Sequence, residues 1–103
     1  MDVVNAVRMH AEDTVAVVVK DVAAGERIVF AGCEKEAPIV AKESIPYGHK
    51  VAIRPVRVNE PVIKYGEKMG VATADIEVGR HVHVHNVRGL RPEERGVNLR
   101  GYI

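Results

Sequence analysis

Thr14-Val-Ala-Val-Val-Val-Lys-Asp-Val-Ala-Ala-Gly-Glu-Arg-Ile28 holds a strand, a corner and the start of a second strand. Val15 to Val19 is an unbroken apolar run rich in β-branched residues. Such side chains suit a pleated surface, and a short run without polar alternation predicts a strand covered on both faces. Asp21 then opens a reversal in which Gly25 supplies a residue that adopts positive φ at no steric cost. The same eight-residue pattern recurs at Pro55-Val-Arg-Val-Asn-Glu-Pro-Val62 and Asp75-Ile-Glu-Val-Gly-Arg-His-Val82. Each copy has an apolar second position, Gly or Asn at the fifth, a charged sixth and a β-branched eighth. Three such corners let a small β domain fold back on itself, and their uneven spacing excludes a regular solenoid.

The rest of the chain agrees. Valine supplies 20 of 103 residues. Further strands are expected within 27–31, 38–41, 50–54, 61–64, 68–74 and 80–87, separated by Gly, Pro and Asn turn signals. No segment has a helical period, apart from a short turn around Ser44 to Gly48. After Val87 the chain is charged and lacks alternation, so residues 1–88 read as the domain and 89–103 as a flexible linker or tail.

Composition bounds the function. The length fits one domain with a modest core. With 28% charged residues, a net charge of +1 and four aromatics, the chain shows no nucleic-acid footprint and little capacity for base stacking. No apolar stretch is long enough to span a membrane, and Met1 to Asp13 does not read as a signal peptide. Cys33, the only cysteine, excludes an internal disulfide and suits a reducing cytoplasm. It reads as a small buried or half-buried side chain.

Chemistry concentrates in Arg80-His-Val-His-Val-His-Asn86, which holds three of the five histidines. On a strand, His81, His83 and His85 share one face and Val82 and Val84 the other, with the imidazoles roughly 7 Å apart. Neighbouring members of such a row can converge on a metal ion while a third works as an acid or base. A straight strand does not let all three reach one ion; of the adjacent pairs, His83 and His85 are taken as the metal-ligand candidates. Asn86 either orients a histidine or the substrate, or forms a turn. His49-Lys50 follows a Pro-x-Gly turn, at a strand entry. Lys64, before Tyr65-Gly66, is a point charge suited to a carboxylate. His10 reads as a surface residue and Asp75 as a structural one.

The motifs Ile45-Pro-Tyr-Gly-His-Lys-Val-Ala-Ile53, Pro61-Val-Ile-Lys-Tyr-Gly-Glu-Lys-Met-Gly70, Ala74-Asp-Ile76 and His81-Val-His-Val-His-Asn86 resemble, in order, the small N-terminal module of the altronate and galactarate dehydratase family. The small subunit of sulfolactate sulfo-lyase is similar. The resemblance covers roughly residues 8 to 88 and implies a SAF domain of mostly-β, β-clip fold. It implies an enzyme part that removes water or sulfite from a hydroxy acid, giving a 2-keto acid, with a larger catalytic subunit or domain as partner. It also implies a divalent metal, iron or manganese, held mainly by that partner. Within this chain it points to His49, His81, His83 and His85 as catalytic, and to Lys50, Lys64 and Asn86 as contacts to a sugar acid. Residues 30 to 43 match no motif of the family. Altronate, galactarate and sulfolactate stay open as substrates, as does a non-catalytic binding module. An exposed apolar patch is expected where the partner docks, with self-association in its absence.

Overall fold

A computed structural model describes residues 3–32 and 37–94. Its strands, all short, are β1 (Ala6–Arg8), β2 (Val15–Val18), β3 (Arg27–Ile28), β4 (Phe30–Gly32), β5 (Ile39–Val40), β6 (Lys50–Ala52), β7 (Pro61–Lys64), β8 (Glu67–Ala72), β9 (His81–Val82) and β10 (Val87–Arg88). A single 3₁₀ turn at Pro92–Glu94 is the helical element among the described residues. The mostly-β expectation therefore holds. None of the described helices is long and apolar enough to cross a membrane.

The strands form a five-stranded sheet in the order β4-β1-β2-β6-β9, a three-stranded sheet β10-β8-β7 and the pair β3-β5. Two cores lie on opposite faces of β2 and β6. Ala16, Val18, Val51 and Ile53 enter the first, around Val22, Ile28 and Ile45. Val15 and Ala52 enter the second, with Val56, Val62, Ile76 and Val82. Alternation along each strand sends successive side chains to opposite faces, so the unbroken apolar run of β2 is buried on both sides.

The corners prove to be four. Gly25, Gly48, Asn59 and Gly79 all have positive φ, between 74° and 95°. Each follows an apolar anchor by three residues, and each closes the same hydrogen bond: Glu26 N to Ala23 O, His49 N to Pro46 O, Glu60 N to Arg57 O and Arg80 N to Glu77 O. Positive φ at the third residue of such a turn is the signature of type II. The anchors bridge in pairs, Val22 with Ile45 and Val56 with Ile76.

Carboxylates finish both pairs in the same way. Asp21 accepts from Tyr47 N and Glu26 from Ala23 N; in the second pair Asp75 accepts from Val58 N and Glu60 from Arg57 N. Gly25 N donates to Ala41 O and Ala41 N to Glu26 O, and Asn59 N and Ala72 N repeat this with Ala72 O and Glu60 O. The domain is thus an internal two-fold repeat. The Ser44–Gly48 turn is its fourth corner rather than a helical turn.

Three strand expectations change. Residues 27–31 divide between β3 and β4, which lie in different sheets. β1 was not anticipated: it is three residues long, pairs antiparallel with β2 and runs parallel to β4. The expected strand 80–87 is instead β9, a turn over residues 83–86, and β10. Cys33 and residues 95–103 of the C-terminal segment lie outside the described residues.

Candidate functional site

The histidine segment breaks because Asn86 folds it. Its backbone N donates to His83 O at 3.1 Å, its side-chain Oδ1 accepts from His83 N at 2.9 Å, and its Nδ2 donates to His81 O at 2.9 Å. Asn86 is 9% exposed with both ends of its amide on the backbone. Its amide thus forms the turn and, through it, holds the backbone of His81 and His83. The period-two face is lost with the strand: Val82 is 2% exposed, but Val84 is 80% exposed.

The turn nevertheless gathers imidazoles, and it adds one from far along the chain. His49 closes the Ile45–His49 corner and enters β6, and β6 pairs with β9 in the register Lys50↔Val82 and Val51↔His81. His49 Nδ1 and His81 Nε2 are 2.8 Å apart, so one carries the shared hydrogen and the other accepts it. His83 stacks on His49 with centroids 4.6 Å apart and planes 8° apart. His83 and His85 each lie 5.4 Å from His81. All four expected histidines thus meet at the β9 edge of the main sheet.

Burial, reinforced by His49, His85 and His83, lowers the pKa of His81, and Glu43 opposes this weakly. Glu43 Oε2 also accepts from His81 N at 3.0 Å. Glu43 belongs to the stretch that matched no motif, and nothing in its sequence setting marks it as a neighbour of residue 81.

Lys50 lies on the other face. It alternates with Val51, so its stem follows Ala52 and Val82 over the second core. Burial, and then Lys64, lowers its pKa. Lys64 places its Nζ 4.6 Å from the Tyr65 ring centroid. His10 is exposed, as expected, and its ring lies over Gly66.

The His49–His81 pair is not arranged as two ligands of one metal ion. Among the described residues no three His, Cys, Asp or Glu side chains are placed to hold an ion. Two nitrogens on one tetrahedral ion sit roughly 3.4 Å apart, from metal–nitrogen bonds of about 2.0–2.1 Å. The His49–His81 nitrogens are closer than that, at 2.8 Å, and are joined by a hydrogen. Stacked rings also turn faces, not lone pairs, toward one another.

A family model described as the altronate/galactarate dehydratase SAF domain matches residues 4–90. The chain belongs to this family. This SAF domain is 35% identical over 82 residues to an altronate dehydratase of Bacillus subtilis, covering 80% of the chain but 16% of that relative. It is 40% identical over 84 residues to the (2R)-sulfolactate sulfo-lyase subunit alpha of Chromohalobacter salexigens, covering 89% of that subunit. Over 53 residues it is 47% identical to the corresponding subunit of Paracoccus pantotrophus. The domain therefore spans about a sixth of the dehydratase and most of the sulfo-lyase subunits.

Proposed function

We propose that this SAF domain is the acid–base and substrate-contacting part of a hydro-lyase acting on a sugar acid, completing an active site carried mainly by a larger domain or chain. The observation behind this reading is the hydrogen-bonded His49–His81 pair, with His83 stacked on His49 and His85 tilted against His81. Elimination needs a base for the proton beside the carboxylate and an acid for the departing hydroxyl. The pair provides both in succession: the ring that takes the proton becomes an imidazolium, and it then gives a proton to the departing hydroxyl, which leaves as water. The lowered pKa of His81 keeps that ring neutral, hence basic, at neutral pH. Lys50 supplies positive charge on the opposite face of β6 from the pair, where His83, which lines the same cleft and stacks on His49, is the imidazole that shares the cleft with a carboxylate held there.

The iron or manganese that the family resemblance implies is assigned to the larger partner, where it would polarise the leaving oxygen. Val84, exposed at the turn, fits an apolar surface that such a partner covers. A cytoplasmic setting belongs to the same reading. A sulfo-lyase reading is favoured by the near-complete coverage of the Chromohalobacter subunit.

The test is reconstitution of the full chain with its larger partner, without oxygen and with ferrous iron. Release of 2-keto acid is followed from altronate, galactarate and sulfolactate. Activity is expected to need both chains, and His49→Gln and His81→Gln are expected to lower kcat by about a hundredfold or more with little change in KM. A kcat unchanged in both variants reduces the domain to a binding module.

A further inference from the structure

On the face of β6 and β9 opposite the His49–His81 pair lies a cleft of about 280 Å³. Val62, Val82 and Val87 floor it, Met69 walls it, and Lys50 and His83 face it. His83 joins the two faces, because its ring also stacks on His49.

The charges in this cleft do not balance. The Lys50 side chain is half-buried, and its ammonium makes no hydrogen bond or ion pair among the described residues. The charge felt most strongly at Lys50 is Lys64, of the same sign. Arg88 also borders the cleft, but its two terminal nitrogens are both engaged by the Glu94 carboxylate at 2.8 Å. No carboxylate is among the cleft's lining residues. A half-buried ammonium beside a second cation is costly, and a bound anion removes the cost.

We infer that this cleft binds the carboxylate of a short organic acid, with Lys50 taking the carboxylate and the valine floor taking the carbon chain. The floor carries no hydroxyl or amide side chain. Laying the hydroxyls of a sugar acid on valine would strip their water without replacing it. A three-carbon 2-hydroxy or 2-keto acid leaves little unsatisfied. The inference rests on the lyase reading only for the acid's place in turnover, and there it supports the sulfo-lyase reading, whose hydroxy acid is short, over the sugar-acid one.

The experiment titrates lactate, altronate and inorganic sulfate into the full chain alone, followed by amide and methyl chemical shifts. Lactate is expected to give saturable shifts at Lys50, Val62, Val82 and Val87, with altronate and sulfate weaker. Lys50→Met, which keeps the stem and removes the charge, is expected to weaken lactate at least about tenfold, while Lys50→Arg retains binding. In the unaltered chain, saturating lactate is expected to raise the pKa of Lys50, a readout independent of any variant's folding. No saturable shift with lactate, equal binding of sulfate, tighter binding of altronate, or an unmoved Lys50 pKa overturns the inference. Because the titration involves no partner and no turnover, an inactive reconstituted lyase with intact lactate binding sinks only the lyase reading. An active lyase whose small chain ignores lactate sinks only the cleft.

Discussion

His81 feels burial and three neighbouring imidazoles acting in one direction, with only Glu43 acting in the other. Its folded pKa is therefore below the 6.5 of a free imidazole. Between the two values the unfolded chain binds more protons at this position than the folded one, so stability rises with pH there. The contribution is complete above pH 6.5 and is lost as pH falls through the folded pKa. We expect the His81 ring resonance to titrate below 6.5 in an NMR pH series. The urea midpoint should drop from pH 7 toward pH 5 in the unaltered chain and drop less in His81→Gln. A His81 resonance titrating at or above the free value would remove the electrostatic basis of the site. At this scale the residue types were legible in the sequence, since a triple His-x-His repeat needs no structure to be noticed. Their geometry was not. The His49–His81 bond crosses 32 positions, and it depends on a pairing register that local pattern does not encode.

The corners that hold these residues obey one backbone rule and differ in their surroundings. A Cβ added at Gly25 meets nothing within 4 Å, whereas at Gly79 it collides with Val40 O. Gly25→Ala should therefore cost only the left-handed penalty, about 1–2 kcal/mol. Gly79→Ala adds a collision with a backbone oxygen that has no rotamer to escape through, and is expected to cost at least about 1 kcal/mol more. Urea denaturation of the two variants measures the difference, and equal losses would contradict the close approach at Gly79. Three of the four corners were readable because Gly or Asn falls between an apolar anchor and a β-branched residue. The fourth, at Ile45 to His49, breaks the charged sixth position of the pattern with His49, and so reads as an isolated turn. β1 was missed for a different reason. Its three residues carry too short an alternation to register, and their order comes from pairing with β2 and β4. Asn86 misled the reading of the histidine strand, since one buried amide outweighs the period-two pattern of the residues before it.

At the scale of the molecule, the repeat makes two halves that cannot part. β2 gives Ala16 and Val18 to the first core and Val15 to the second, and β6 gives Val51 and Ala52 to opposite sides. Unfolding one half removes one face of both central strands and exposes the other half's core. Neither core is large enough to stand alone in a chain of this size. The domain is therefore expected to unfold in one step, in spite of its duplicated architecture. Val18→Ala and Val62→Ala each delete two buried methyl groups, one from each core, and each should cost about 2 kcal/mol. Calorimetry should show a single transition in both variants, displaced by roughly 8–16 °C from the unaltered chain. The calorimetric and van't Hoff enthalpies should stay equal. Two resolved transitions, or a Val62→Ala variant that loosens one sheet alone, would mean that the halves are independent. This coupling bears on the site because His49 and Lys50 enter on β6, whereas His81 and His83 follow the corner of the second half. The imidazole stack and the cleft exist only while both halves are folded, so damage to either core should abolish lactate binding and lyase activity at the same temperature.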